Sequence, residues 1–268
     1  MPRLLPLVLA LILAAAPAAG AKTVRYGHDQ AGPLVADLYQ PTHHSRIAVV
    51  TVHGGSWLYN SRATLAPIAA DLARRSRFVV LNIDYPLAPA GAELVTRQRA
   101  AVEQAVRWLR AHAASLGIDP RRVGGLGSSA GGNLVGLLAT GGSGSLRAGA
   151  RLGAAVTWSG QLDLEHLTGE LANITSRYLG CGLSACPDVW RQASPIDHVN
   201  HGDTPMLLFA SRHDTTPPSQ SKAMARALRG AGVTARTVIV PGSAHAQHYA
   251  AAAMSRTIAF LREHLARG

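Results

Sequence analysis

A serine flanked by glycines is the residue in this chain best suited to covalent chemistry. Ser129 stands at the centre of a G-x-S-x-G pattern that runs from Gly127 to Gly131. The residues before the pattern favour a buried strand, and those after it favour a helix. In that context the pattern forms a sharp turn that raises the serine hydroxyl above the sheet edge. Ser128 has Leu126 and Ala130, rather than glycines, two positions before and after it. The alternative interpretation is a glycine-rich turn with incidental serines, so the rest of the chain must decide.

A serine hydroxyl needs a base that takes its proton and an acid that orients the base. In strand–turn–helix sites of this kind the chain order is serine, acid, histidine. Asp214 follows an apolar strand that ends at Ser211, and His245 follows one that ends at Val240. Because the carboxyl ends of parallel strands meet at one edge of a sheet, we expect both residues to lie near Ser129.

Four other residues compete for the roles of base and acid. His248 falls further into the following helix, and His213 adjoins the acid in a position that suits the surface. Asp203 precedes its strand, and Asp84 precedes the serine, which is the wrong order for this pattern. For the predicted acid and base themselves, the alternatives are a turn carboxylate and a solvated loop histidine.

Backbone N–H groups are the expected partners of the negative charge that develops on an attacked carbonyl oxygen. The N–H of Ala130 directly follows the nucleophile and is one predicted donor. An upstream glycine loop supplies the others, which we assign to Gly55 and Ser56, with Gly54 as a further candidate. Glycines there allow the backbone to approach a substrate closely.

Three ring side chains accompany this loop. Trp57 and Tyr59 are predicted to line the pocket for the acyl or alcohol part of a substrate, with a place in the hydrophobic core as the alternative. His53 begins the loop and is predicted to hold it by hydrogen bonding rather than to transfer protons.

Apolar runs alternate with amphipathic segments along the chain. Predicted strands cover residues 23–26, 34–39, 46–52, 78–83, 122–126, 152–158, 205–211 and 236–240. Predicted helices cover residues 65–75, 93–114, 132–139, 219–230 and 249–267. This alternation predicts an α/β fold in which a mostly parallel sheet carries helices on both faces. Residues 159–200 lack a strong period and are predicted to form a short lid-like insertion over the site.

The first residues have the composition of an export signal. A charged start is followed by an apolar run from Leu4 to Ala16 and by the small residues Ala19-Gly20-Ala21. This pattern predicts a signal peptide over residues 1–21, a single domain over residues 22–268 and a secreted or periplasmic location. A membrane anchor is the alternative, but the run is shorter than the ~20 residues that a span needs.

The net charge of +11 does not by itself indicate nucleic-acid binding. Basic residues are spread along the chain, without consecutive blocks and without interleaved aromatic residues. The predicted partner is therefore a small molecule, with no nucleic acid and no stable membrane anchor after signal cleavage. The sequence leaves the oligomeric state open.

Two cysteines lie close together, at Cys181 and Cys186. In an exported protein such a pair predicts a disulfide that closes a short loop. A metal site would need further ligands nearby, and the sequence offers none, so no metal is predicted. Two free buried thiols are the remaining alternative.

Together these motifs resemble the α/β-hydrolase superfamily, and within it the carboxylesterase and lipase group that includes hormone-sensitive-lipase-like, feruloyl-esterase-like and formamidase-like enzymes. The matching stretches are His53-Gly54-Gly55, residues 84–89, Gly127 to Gly131, Ala193-Ser194-Pro195, Asp214 and residues 242–245. The resemblance implies the α/β-hydrolase fold, a Ser129–Asp214–His245 triad, no cofactor and small acyl esters as substrates.

Three positions depart from the hormone-sensitive-lipase-like pattern. Ser56 stands where those enzymes usually have a third glycine, Ser128 where they often have aspartate, and Pro86 where they often have arginine. With these differences the chain resembles polysaccharide-ester, feruloyl-type or formamidase-like relatives more closely.

The predicted function is that of an exported serine carboxylesterase that forms an acyl-enzyme on Ser129. A formamidase- or peptidase-like amide hydrolase with the same triad is the alternative within enzymes, and the sequence leaves the acyl chain and the alcohol open. A binding protein without catalysis is the alternative outside them, because a fold does not determine a function.

Overall fold

An eight-stranded sheet organises the chain. The computed structural model describes residues 20–266, so the predicted signal peptide lies outside the described residues apart from its last two positions. The strands are β1 (Lys22–Asp29), β2 (Gly32–Tyr39), β3 (Ala48–Val52), β4 (Val79–Ile83), β5 (Val123–Ser128), β6 (Ala154–Trp158), β7 (Met206–Ser211) and β8 (Ala235–Val240). Their spatial order is β1-β2-β4-β3-β5-β6-β7-β8. The pairs β1–β2 and β2–β4 are antiparallel and the others are parallel.

Helices cover both faces of this sheet. They are α1 (Ala66–Ser76), α2 (Ala92–Ala111), α3 (Ala113–Leu116), α4 (Ala130–Gly141), α5 (Gly169–Leu179), α6 (Pro187–Gln192), α7 (Pro218–Gly230) and α8 (Ala250–Leu265). Side chains of α1 and α8 form the core on one face, and those of α2, α4 and α7 form the core on the other. The predicted α/β architecture is thus confirmed. None of the helices within residues 20–266 has an apolar stretch long enough to cross a bilayer.

Burial on both faces explains why the sequences of the central strands are continuous apolar runs. Every residue of β3 to β7 is buried, because each of these strands is covered by helices on both faces. The edge strand β8 is different, since most of its residues are partly exposed. In the helices, α2 buries Leu94, Val102, Val106 and Leu109 along one stripe.

The register of the sheet brings three loops to the same edge. Ser128, the last residue of β5, pairs with Trp158 at the end of β6. At the end of β7, Ser211 pairs with Val240 of β8. The segments that carry Ser129, Asp214 and His245 therefore leave the sheet at its carboxyl edge.

The segment between β6 and β7 is more ordered than its sequence suggests. Residues 159–200 lack a strong period in sequence, but they contain α5 and α6. Tyr178, Leu179 and Trp190 are buried and belong to the core on the α2 and α4 face. The short helices escaped prediction because a glycine begins α5 and a buried polar residue, Thr175, interrupts its apolar stripe. A lid-like role for the segment stays a prediction.

A disulfide closes the loop between these two helices. Cys181 and Cys186 are bonded, with their Cα atoms 6.2 Å apart, which confirms the predicted bridge. The buried Trp190 indole N–H donates to the carbonyl oxygen of Cys181 at 3.0 Å. The bridge therefore borders the core instead of lying on a free loop.

We expect replacement of both cysteines by serine to lower the free energy of unfolding by about 2 kcal/mol, because the bridge restricts a short loop of the unfolded chain. For a domain of this size the melting temperature should fall by about 4–8 °C. Thermal unfolding followed by circular dichroism measures the shift. The wild-type protein in reductant is the control and should show the same decrease; an unchanged melting temperature contradicts the prediction.

Candidate active site

The turn between β5 and α4 holds Ser129 in an unusual backbone conformation. Its φ of 54° and ψ of −121° lie in a region that residues with a side chain rarely adopt. The Ser129 N–H donates to the carbonyl oxygen of Trp158 at 2.8 Å, and its own carbonyl oxygen accepts the N–H of Gly132 at 2.7 Å. These bonds fix the turn to the neighbouring strand and to the first turn of α4.

Two glycines make this turn sterically possible. A β-carbon on Gly127 would lie 2.1 Å from the carbonyl oxygen of Gly131. One on Gly131 would lie 2.1 Å from the carbonyl oxygen of Val52, at the end of β3. The strand, the turn and the helix thus touch through their backbones, and no larger residue fits at either position.

Ser129, His245 and Asp214 form a continuous hydrogen-bonded chain. His245 Nε2 lies 2.9 Å from Ser129 Oγ, and His245 Nδ1 lies 2.6 Å from Asp214 Oδ1. Thr215 Oγ1 also lies 3.0 Å from His245 Nδ1. Since a carboxylate only accepts, Nδ1 carries the proton of a neutral imidazole and Nε2 is free to accept from the serine. The structure therefore brings together the three residues that the chain order predicted.

The Asp214 carboxylate is fully buried but completely hydrogen-bonded. Oδ1 accepts from His245 and from the Thr216 N–H at 3.0 Å, and Oδ2 accepts from Ser159 Oγ at 2.6 Å and from the Ser211 N–H at 3.1 Å. Burial alone would raise the pKa of Asp214, but the bonds from His245, Ser159 and Ser211 outweigh it and hold the pKa below its ordinary value. The group is therefore a fixed negative charge beside the imidazole.

Ser159 is a supporting residue that the sequence analysis missed. Besides donating to Asp214, its Oγ accepts the N–H of Ala246 at 2.9 Å and lies 2.9 Å from the hydroxyl of Tyr249. It thereby links the acid to the segment that directly follows the histidine. Its position immediately after strand β6, at the same sheet edge, is the signal that could have revealed it.

The glycine loop, residues 53–60, lies against the nucleophile. A β-carbon on Gly54 would come within 2.9 Å of Ser129 Cβ. Gly55 has a φ of 123° and Ser56 a φ of 53°, so a serine occupies a left-handed position that favours glycine. Among the described residues, no acceptor pairs with the N–H groups of Gly54, Gly55, Ser56 or Ala130. These donors stay predicted partners of a substrate oxygen.

The prediction that Trp57 lines a substrate pocket is wrong. Its side chain is 1% exposed, and its ring stacks on Tyr178 with centroids 4.6 Å apart. The indole N–H donates to Asn133 Oδ1 at 3.0 Å. The sequence could not distinguish a ring in the core from a ring in the pocket, because an aromatic residue beside a glycine loop has the same sequence pattern in both cases.

Tyr59 and His53 lie at opposite ends of the same loop. Tyr59 is 65% exposed, and its N–H donates to the carbonyl oxygen of Gly55 at 2.9 Å. His53 is buried, stacks on Tyr85, and bonds through Nδ1 to the carbonyl oxygen of Gly54 at 2.7 Å. Burial lowers the pKa of His53, so its imidazole is neutral and holds the loop by a hydrogen bond.

The contacts of Ser128 exclude this adjacent serine as the nucleophile. Ser128 is 1% exposed, and its Oγ donates to Gln247 Oε1 at 2.8 Å. Ser129 is the serine whose Oγ meets His245. The structure thus supports the choice that the glycine spacing indicated.

The four other candidates for the base and the acid hydrogen-bond to other groups or face the solvent. His213 and His248 are exposed. The carboxylate of Asp84 accepts the backbone N–H of Arg62 at 2.7 Å and also binds its guanidinium. Asp203 accepts a backbone N–H in its own turn. The backbone N–H of His248 donates to the carbonyl oxygen of His245 at 3.0 Å. Within residues 20–266, however, none of these four side chains hydrogen-bonds to the side chain of Ser129 or His245.

The arrangement has the parts needed for nucleophilic chemistry. His245 can take the Ser129 proton through Nε2, while Asp214 holds the opposite ring nitrogen and faces the imidazolium that would form. Near the serine, the backbone N–H groups of Ala130 and of the glycine loop have no acceptor within residues 20–266. A hydroxyl, an oriented base and nearby donors are the features that acyl transfer requires.

Known proteins are similar to this chain in sequence and in fold. Residues 36–228, well over half of the chain, match the family described as BD-FAE. Esterase LipQ of Mycobacterium tuberculosis is 28% identical over 233 residues, which cover 79% of this chain and 52% of LipQ. The chain thus spans about half the length of that relative.

Solved structures of an esterase extend the similarity to most of the fold. Esterase 2 of Thermogutta terrifontis, phosphoramylated by tabun, has a TM-score of 0.74 and 26% identity, covering 91% of this chain and 95% of that chain. Its propionate-bound form has a TM-score of 0.73 and 26% identity, covering 93% and 94%. Because the family match spans the glycine loop, the serine turn and Asp214, and because solved esterases share the fold, the chain belongs to the BD-FAE family, within the α/β-hydrolase superfamily.

Proposed function

We propose that this protein is a serine carboxylesterase that hydrolyses small acyl esters through an acyl-enzyme on Ser129. The observation that carries the proposal is the hydrogen-bonded chain from Ser129 Oγ through His245 to the buried Asp214. The backbone N–H groups beside the serine, which have no acceptor in the part of the chain that the structure describes, support it. No cofactor enters this mechanism.

The proposed reaction has two halves. Ser129 Oγ attacks the ester carbonyl carbon while His245 Nε2 takes its proton, and the negative carbonyl oxygen is held by the N–H groups of Ala130, Gly55 and Ser56, with Gly54 alongside. His245 then gives the proton to the leaving alcohol, which leaves the acyl group on Ser129. Water, activated by the same imidazole, releases the acid and restores the serine.

Similar proteins favour an ester as the substrate over an amide. LipQ and the Thermogutta terrifontis protein are both named esterases. The latter is phosphoramylated by tabun in one solved structure, and others contain propionate or butyrate. A site of the same fold that accepts short carboxylates supports a short acyl group for this chain.

We expect Ser129→Ala to lower kcat for p-nitrophenyl acetate by about 10⁴-fold or more, because the nucleophile is lost. Asp214→Asn should lower it by about 10⁴-fold, since the imidazole would no longer be held in the reactive tautomer. Steady-state kinetics measures both, together with labelling by a fluorophosphonate probe.

Ser128→Ala is the matched control, because it removes the neighbouring hydroxyl and only its bond to Gln247. It should retain labelling and most of the turnover. Labelling of folded Ser129→Ala, or ester turnover that survives this change, would contradict the mechanism.

We propose that Tyr59 contacts the alcohol part of the ester. Its ring is exposed, and its backbone is bonded to Gly55 in the loop that borders Ser129. An aromatic ring in this place can stack on a planar or cyclic leaving group, while the small acyl group points toward the loop.

Tyr59→Ala should raise KM for aryl esters by about 2- to 10-fold without changing kcat, as expected for a ring contact worth ~0.5–1.5 kcal/mol. Ethyl esters should be unaffected, and Tyr59→Phe should behave as the wild type. A panel of aryl esters, ethyl esters and aryl formamides measures this and also compares ester with amide cleavage. A fall in kcat at constant KM contradicts the assignment.

We also propose that the protein is exported and matures at Lys22. The signal-like composition of residues 1–21 and the Cys181–Cys186 disulfide support this, since disulfides persist in oxidising compartments. Intact-mass measurement of protein from the periplasm or the medium should show an N-terminus at Lys22. An unprocessed chain confined to the cytosol would contradict it.

A further inference from the structure

The glycine loop holds consecutive residues in a strained conformation. Gly55, Ser56 and Trp57 have φ values of 123°, 53° and 62°. The left-handed region costs a residue with a side chain ~1–2 kcal/mol, and such positions persist only where their surroundings enforce them. Ser56 and Trp57 are adjacent, so the loop needs a strong external restraint.

Trp57 is the residue through which the fold restrains the loop. Its indole N–H donates to Asn133 Oδ1, and its ring stacks on Tyr178 at an interplanar angle of 4°. Its backbone carbonyl oxygen accepts from Gln98 Nε2 at 2.7 Å, and the same nitrogen donates to the carbonyl oxygen of Pro86 at 2.7 Å. Helices α2, α4 and α5 thus all hold this one residue.

Asn133 connects that restraint to the nucleophile. It lies on α4, four positions after Ser129, and is fully buried. Its Nδ2 donates to the carbonyl oxygens of Gln161 at 2.8 Å and Ala193 at 2.9 Å, which leaves Oδ1 to accept from Trp57. Its backbone N–H donates to the carbonyl oxygen of Ser129 at 3.2 Å. The three side-chain bonds need both the donor and the acceptor of an amide, which aspartate or leucine would not supply.

We propose that the Trp57–Asn133 hydrogen bond is a positioning contact that sets the distance between the N–H groups of the glycine loop and Ser129 Oγ. Neither residue touches the substrate. The inference rests on the proposed function, in which Gly55 and Ser56 stabilise the negative carbonyl oxygen. Loss of the Trp57–Asn133 hydrogen bond should weaken binding of the transition state and leave binding of the ground-state ester almost unchanged.

Trp57→Phe tests this by removing the indole N–H. We expect kcat for p-nitrophenyl acetate to fall by about 10- to 100-fold, since a small misplacement of catalytic groups is enough for such a loss. KM should change by less than about threefold, and the affinity for a trifluoromethyl ketone analogue should fall by the same factor as kcat/KM. Normal kcat in folded Trp57→Phe overturns the proposal.

Trp190→Phe is the matched control. Trp190 is also buried, and its indole N–H donates to a backbone carbonyl, that of Cys181, away from the glycine loop. Trp190→Phe should lower the melting temperature about as much as Trp57→Phe does, as measured by thermal unfolding, but it should keep the wild-type kcat. An equal loss of kcat in both variants would mean that general destabilisation is responsible and would overturn the proposal.

A second variant keeps the test valid if Trp57→Phe does not fold. Benzothienylalanine incorporated at position 57 preserves the shape and stacking of the ring and lacks only the donor, and it should reproduce the fall in kcat. Asn133→Ser should cost less activity in this background than in the wild-type chain, because only the wild type still has the Trp57–Asn133 bond to lose; equal losses in both backgrounds would show that the two residues act separately and overturn the coupling. Ser129→Ala assayed in parallel separates the two claims, because full turnover there overturns the proposed function as well.

Discussion

Backbone crowding at the serine turn is the constraint on which the site depends. Ser129 keeps its positive φ because Gly127 and Gly131 let β5, α4 and the end of β3 meet without side chains between them. The same contact fixes where the glycine loop can begin, since that loop continues from β3. The nucleophile and its neighbouring N–H groups are therefore close together as a direct result of sheet packing.

Strained positions gather around this turn. Ser56, Trp57, Ser129, Ser159 and Ala246 all have positive φ values. Buried hydrogen bonds or ring contacts hold Trp57, Ser129, Ser159 and Ala246, and Ser56 directly precedes Trp57. These residues lie in the loops that follow β3, β5, β6 and β8. Packing in the core on both faces of the sheet thus offsets the free-energy cost of these backbone conformations.

The sequence was a good guide to the parts of the site that follow from chain order. Ser129, Asp214 and His245 could be chosen because each follows a strand at the same sheet edge, and the parallel sheet itself followed from continuous apolar runs. The supporting residues could not be chosen in this way. Ser159 and Asn133 act through partners far away in sequence, and the orientation of Trp57 depends on Tyr178, in a helix whose own pattern was too weak to detect. Local periodicity reports which side of an element is buried but not which buried polar groups meet.

The position of β8 at the sheet edge has a consequence for how the protein tolerates heat. Ser129 follows a central strand with buried neighbours on both sides, whereas His245 is carried by the most exposed of the parallel strands. Marginal elements open locally at lower cost than the core. Detachment of β8 would separate the base from the hydroxyl while the rest of the sheet stayed folded. Opening at this margin would therefore act on the imidazole before it reached the strand that carries the hydroxyl.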